Sequence, residues 1–226
     1  MFTFQPKVPL LEDIRSVTTD KGRVYVTPDG KEYVSVTTFL NSMTESYIEQ
    51  WKKEVGEEYA AEVSLRARSR GTRYHNMVEK YLKCGDRKEV LDSSLWPLKE
   101  MFLDSEETLN RINNIHFIEQ ALYSDRLRLA GRVDVIAEFD STLSIIDFKT
   151  STREKYESEI ENYFLQATAY AMMYEECSFY TIGQIVIVML CDDLTRPIVF
   201  RKNPKQYHNA LLAKLDDFHA SRKLSG

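Results

Sequence analysis

Leu129–Phe139 (LAGRVDVIAEF), the polar break Asp140-Ser141-Thr142 and Leu143–Phe148 (LSIIDF), followed by Lys149, form the stretch whose pattern decides the fold. Both runs are rich in β-branched and aromatic residues, which suit a pleated, half-buried surface, and the break between them is compatible with a turn. A similar run upstream, Ile115–Tyr123, is set off by Ser124-Asp125-Arg126. Three such runs joined by short breaks predict an antiparallel meander. Period-2 alternation points Asp147 and Lys149 to one face of the last strand. A short hairpin brings Asp134, in the strand before, beside Asp147. Two carboxylates so close repel each other unless a cation joins them. Hard oxygen donors suit Mg²⁺ or Mn²⁺ together with water and a substrate phosphate. Asp-x-Lys alone is an ordinary exposed ion pair worth at most about 1 kcal/mol; two acids on adjacent strands point instead to metal-assisted phosphodiester chemistry.

Downstream, helical spacing runs from Tyr156 to about Glu176 and carries Gln166-Ala167-Thr168-Ala169-Tyr170. Gln166 and Tyr170 share a helix face, where an amide and a phenol can meet a phosphate or a base. Ile182–Leu190 reads as a continuous apolar strand that needs cover on both faces. Pro197–Phe200 reads as an edge strand and Asn203–Arg222 as a final amphipathic helix. Upstream, Arg23–Val26 and Tyr33–Val36 flank the turn cluster Thr27–Lys31, which predicts a hairpin, with Thr37 and Thr38 as helix caps after it. Helical spacing then continues, with interruptions, over Ser46–Leu82 and again over Leu95 to about Ile112. The expected fold is α/β in one domain over residues 1–226. Residues 1–112 form a hairpin plus a helical N-terminal part, and residues 113–226 form an α/β catalytic core.

The helical segment Gly71-Thr72-Arg73-Tyr74-His75 offers a further metal ligand in His75. No acid occurs between Val63 and Val78, and Arg66, Arg70 and Arg73 share a helix face as a cationic stripe. Such a stripe matters in a chain of net charge −5, whose overall balance otherwise argues against a nucleic-acid partner. The 43% apolar content supports a buried core, and the longest apolar run, Ile185–Leu190, is far too short to span a membrane. Three scattered cysteines, Cys84, Cys177 and Cys191, fit neither a disulfide framework nor a zinc or iron–sulfur site built from cysteines alone. Reduced thiols in a cytosol-like compartment are expected, and the first fifteen residues carry no targeting pattern.

In this order, the Gly71–His75 segment, Gly131–Asp134, Asp147-Phe148-Lys149-Thr150 and Gln166–Tyr170 resemble the RecB-type branch of the PD-(D/E)xK nuclease superfamily. Within that branch the similarity is to the mitochondrial genome maintenance exonuclease family and its phage relatives. Val34–Thr37 followed by Trp51-Lys52 resembles the same family's N-terminal region, so the likeness spans Tyr33 to Glu176. The resemblance implies a restriction-endonuclease-like core with a central mixed sheet flanked by helices. It implies a Mg²⁺- or Mn²⁺-dependent single-stranded DNA exonuclease that works from free ends in replication, recombination or repair. Asp134 and Asp147 would be the metal-binding acids and Lys149 the catalytic lysine that positions the attacking water and stabilises charge on the phosphate. His75 and the Phe148 carbonyl would be additional metal ligands, and Glu119 an accompanying acid without a fixed role. Gln166, Tyr170 and Thr150, with the arginine stripe, would contact nucleic acid, and Trp51, Tyr74, Tyr163 and Tyr170 are candidate stacking platforms. Asp147 stands where many members carry Glu, and the chain lacks the four-cysteine cluster of some members, so no iron–sulfur cluster is expected. A stand-alone monomer in the cytoplasm of a bacterial or phage-infected cell is expected, with single-stranded DNA or flaps as substrate, replication or recombination proteins as partners, and no membrane. The rival readings are a structure-selective endonuclease on the same core and a nucleic-acid-binding module whose site has decayed. Retention of both acids, the lysine and the histidine argues against decay.

Overall fold

Strand β7 (Gln184–Cys191) sends Ile185, Ile187 and Met189 into one apolar cluster and Val186, Val188 and Leu190 into another. Its unbroken apolar run follows from burial on both faces. In the computed structural model, which describes residues 1–6, 8, 11–20, 22–92 and 94–224, the first cluster is closed by α1 (Val36–Ser42), α6 (Glu161–Cys177) and α7 (His208–Leu224). The second is closed by α3 (Glu57–Cys84), the short α4 (Arg87–Asp92) and α5 (Trp96–Leu109). Helices therefore cover a mixed sheet on both sides, as the α/β reading requires.

The meander is present. β4 (Ile112–Ser124) pairs antiparallel with β5 (Leu129–Phe139), and β5 with β6 (Thr142–Ser151). Asp140 and Ser141 both take positive φ, 49° and 62°, which matches the twist of a tight hairpin. β6 runs parallel to β7 with α6 between them, and β8 (Ile198–Lys202) closes that edge antiparallel to β7.

The N-terminal part differs from the sequence reading. The expected hairpin, β2 (Gly22–Val26) and β3 (Glu32–Ser35), is joined by an unforeseen β1 (Arg15–Thr19). β3 pairs parallel with β5 at Val34–Leu129 and Ser35–Ala130, so the hairpin enters the same eight-stranded sheet. Residue 112 therefore does not separate two parts of the sheet. Between Ala130, paired to β3, and Val135, paired to β6, residues Gly131 to Val133 pair only with β4 among the described residues, and the register skips Asp134. That gap in the sheet positions the site.

The helix cap is also moved. Ser35, extended at φ −68°, is the N-cap of α1, and its Oγ accepts the Thr38 N–H at 3.0 Å. Thr37 and Thr38, expected as caps, lie in the first turn. Ser46–Leu82 divides at Gly56, whose φ of 91° separates α2 (Glu45–Val55) from α3. The two downstream helices start later than expected, each behind a single 3₁₀ turn at Glu157–Glu159 or Pro204–Gln206.

Candidate active site

The β5–β6 ladder ends at the Val135–Ile146 pair, and the next step along the same register sets Asp134 opposite Asp147. Past that point the strands part, and the Phe148 N–H donates to Asp134 Oδ2 at 2.8 Å instead of to a strand carbonyl. The Phe148 carbonyl accepts from His75 Nε2 at 2.9 Å. A carbonyl can only accept, so Nε2 carries a proton and Nδ1 is the nitrogen left to face the acids. Nδ1 lies 3.5 Å from Asp134 Oδ1 and 3.9 Å from Glu119 Oε1. Donor atoms of His75, Glu119 and Asp134 all fall within 4.8 Å of one another. Glu119 sits in β4 at a φ of 52°, a left-handed backbone uncommon outside glycine. Arg132 Nη1 donates to the Glu119 carbonyl and so supports that kink. The backbone departure at Glu119 has no sequence signature, which is why its role was not legible in advance.

On the other side of Asp134, Gln166 spans the Asp-x-Lys pair. Its Nε2 donates to Asp147 Oδ1 and its Oε1 accepts from Lys149 Nζ, both at 3.2 Å. Lys149 Nζ is 2.6 Å from Asp147 Oδ2, but that buried oxygen has no hydrogen-bond donor aligned with it. The contact is a close ion pair in which the Lys149 ammonium neutralises Asp147.

Burial alone would push His75 down, yet the charge of Asp134 and hydrogen bonds to Asp134 and Glu119 outweigh it and raise His75 to about 10. Asp134 moves in the opposite direction: burial would raise it, but the His75 charge and hydrogen bond hold it below the usual carboxylate range. Asp147 is pushed up to about 6 by burial, with Lys149 opposing and Asp134 adding to the rise. Burial would lower Lys149, but Asp147 and Asp134 raise it. Burial is thus the main cause of the rise of Asp147, whereas His75 compensates Asp134.

Tyr170 and Gly131 define the floor. A Cβ on Gly131 would stand 2.8 Å from Cε1 and Oη of Tyr170, so only glycine lets the ring lie there. Tyr170 is buried, one helical turn after Gln166 on the same face of α6. Gln166 and Tyr170 thus line the cleft but act chiefly on its walls, Gln166 by fixing Asp147 and Lys149. The cleft, about 590 Å³, is bounded by α3 on one side and by Arg23, Tyr25, Ser35 and Thr37 of the N-terminal hairpin and α1 on the other.

Over residues 45–220 the sequence matches the PD-(D/E)XK nuclease superfamily. The chain belongs to that superfamily. It is also 30% identical over 147 residues to mitochondrial genome maintenance exonuclease 1 of Homo sapiens, an alignment covering 60% of this chain and 42% of the relative. The protein of the same name from Xenopus tropicalis is 31% identical over 115 residues, covering 48% of this chain and 32% of the relative. The mouse protein is 28% identical over 113 residues, covering 48% and 33%. The chain spans less than half the length of these curated relatives.

Several residues expected at the site of this superfamily member lie elsewhere. At about 100° per residue, nine positions separate Arg66 from His75 by roughly half a turn of the helix. The arginine stripe accordingly lies on the flank of α3 away from the cleft, beside Leu98 and Met101 of α5. Arg66 pairs there with Glu62 at 2.5 Å and Arg70 with Asp192 at 2.5 Å. Thr150 turns its hydroxyl toward Gly71 of α3, 3.6 Å from where a Cβ would stand. The Phe148 carbonyl is taken by His75 and stands behind the imidazole. Tyr74 is wholly buried and Tyr170 nearly so, which removes both as open stacking platforms. Thr72, Asn76 and Glu79 line the cleft with His75. Their spacing of three, four and seven along α3 is a signal that helical periodicity alone reveals.

Proposed function

We propose that this chain hydrolyses phosphodiester bonds of single-stranded DNA from free ends with Mg²⁺ or Mn²⁺. The observation that carries the reading is the convergence of His75 Nδ1, Glu119 and Asp134 beside a buried Asp147–Lys149 pair. Oxygen-rich donors with one imidazole suit Mg²⁺ or Mn²⁺, and donor separations of 3.5 and 3.9 Å suit an ion with bonds of about 2.1 Å. Asp147, opposite Asp134 and ion-paired through Oδ2 with Lys149, adds a third carboxylate beside them. His75 would bind through Nδ1, with the Nε2–H to Phe148 fixing its tautomer, the usual outer-shell arrangement for an imidazole ligand. A bound ion would polarise a phosphate oxygen and neutralise the charge that grows on it.

The chain's own residues do the rest. Lys149, held between Asp147 and Gln166, places a fixed ammonium beside the acids, where it stabilises negative charge developing on the phosphate. Gln166 keeps that ammonium and Asp147 in register, and the Tyr170 ring on Gly131 holds Gln166 in place. α3 and the N-terminal hairpin both border the cleft, and we take this as support for entry of a strand by its end and so for an exonuclease over an endonuclease. The setting we propose is DNA replication, recombination or repair, by a monomer in a reducing, cytoplasmic compartment. No helix among the described residues is long and apolar enough to cross a membrane.

The test is incubation of labelled linear and covalently closed single-stranded DNA with and without Mn²⁺, alongside Asp147→Ala. Linear strands are expected to fall to short oligonucleotides only with the metal and the wild-type chain, while circles survive. Rapid nicking of circles would promote the endonuclease reading, and binding without any cleavage would promote the decayed-site reading.

A further inference from the structure

Three lysine or arginine side chains line the cleft, Arg23, Arg132 and Lys149. Two are committed within the protein. Lys149 is held by Asp147 and Gln166, and Arg132 by the Glu119 carbonyl and by Asp13 at 2.6 Å. Among the described residues, no carboxylate or hydrogen-bond acceptor meets the guanidinium of Arg23, which is exposed. Its backbone is fixed instead. The Arg23 N–H donates to Thr38 Oγ1 at 3.0 Å and the same hydroxyl donates back to the Arg23 carbonyl at 3.4 Å. Thr38 Oγ1 is in turn anchored by Ser35 Oγ at 2.8 Å. Gly22, just before it, has a φ of 107° and lies so close to Thr38 that a Cβ would overlap that side chain. Alternation along β2 then sends Arg23 and Tyr25 to the same, cleft-facing side.

A guanidinium on an anchored backbone, lining the same cleft as the acid cluster and without a side-chain partner among the described residues, is free to take an external anion. We propose that Arg23 is a phosphate-binding residue that holds a phosphate of the single strand other than the one at the His75–Glu119–Asp134 cluster. The inference rests on the nucleic-acid substrate proposed above and adds to it a second contact point that orients the strand across the cleft. Arg23 contributes charge and two-pronged hydrogen bonding to a non-bridging oxygen pair, and no bond to the scissile phosphorus. The hairpin that carries it is joined to the core through the β3–β5 pairing, so the contact is set by the sheet itself.

The test is fluorescence anisotropy of an oligo-dT strand in EDTA, where no hydrolysis occurs, across a NaCl series. Arg23→Gln is expected to weaken binding about tenfold at low salt. It should also flatten the slope of log affinity against log salt by about 0.7. Arg23→Lys should retain the slope, and Arg66→Gln on the outer flank of α3 should match wild type. In turnover with Mn²⁺, Arg23→Gln should raise KM about tenfold and leave kcat unchanged. Wild-type affinity, slope and KM in Arg23→Gln, with an unchanged melting temperature, would overturn the proposal. If wild type binds the strand through Arg23 but releases no nucleotide with Mg²⁺ or Mn²⁺, the hydrolytic reading fails while the phosphate contact stands.

Discussion

Replacing Gly131 with alanine probes the contact on which the floor of the site depends. A Cβ there would lie 2.8 Å from Cε1 and Oη of Tyr170 and 3.2 Å from Cζ. Non-bonded carbon atoms prefer about 3.5–4.0 Å, so the ring would have to retreat by roughly 0.7 Å. Tyr170 is 2% exposed and packed within the larger apolar cluster, so it has no space to move into without shifting α6. Overpacking of this kind costs about 1–3 kcal/mol. For a chain of this length that corresponds to a fall in melting temperature of roughly 2–12 °C. The displacement also passes to Gln166, one helical turn away, and thence to Asp147 and Lys149. Misplacement near 1 Å costs up to ~100-fold in rate, so turnover should fall by more than the loss of folded protein explains. Thermal unfolding and single-turnover hydrolysis are measured for Gly131→Ala, Tyr170→Ala and the double variant. In the Tyr170→Ala background, the added cost of Gly131→Ala should drop below about 0.5 kcal/mol, because the clashing ring is gone. An equal cost in both backgrounds, or a Gly131→Ala variant as stable and active as wild type, would refute the steric account.

Asp147→Asn should abolish hydrolysis in a gel assay while preserving strand binding, since the lost charge also relieves repulsion with phosphate. Lys149→Ala should cut turnover by orders of magnitude with Mn²⁺ affinity unchanged by calorimetry; metal binding lost along with activity would reassign the lysine to the ion's shell. In EDTA, His75 carries a proton to about pH 10 in the fold but only to about 6.5 when unfolded. Its stabilising contribution is therefore complete below pH 6.5 and lost as pH rises toward 10. Melting temperature should fall across that window, less so in His75→Gln, and equal falls in both would remove His75 as the cause. The stripe reading expects a flatter salt slope when Arg66, Arg70 and Arg73 become Gln, whereas their position on the outer flank of α3 predicts an unchanged slope by anisotropy. Because the Arg66–Glu62 pair is well exposed, Arg66→Gln alone should change stability by less than about 1 kcal/mol.

Local pattern alone was enough for the meander, the two-faced strand β7, the helices around it and the Asp134, Asp147 and Lys149 constellation. Each depends on alternation or turn chemistry within a few residues, and a hairpin of fixed register converts such spacing into contact. Periodicity also held the separation of His75 from the arginine stripe, since one rigid helix cannot turn both to the same side. The tertiary structure decided what distant segments do to one another. Parallel pairing of β3 with β5 joins residues about a hundred positions apart and leaves no local trace, yet it makes the N-terminal hairpin a wall of the cleft and brings Arg23 to it. The left-handed backbone at Glu119, the Gly131–Tyr170 contact and the capture of the Phe148 carbonyl by His75 likewise arise where separate elements meet. Sequence determined which charged and polar side chains were candidates for the site, because charge and periodicity are local properties. Packing determined which atom of each faces the site, because that depends on contacts closed only when the sheet and both helical layers come together.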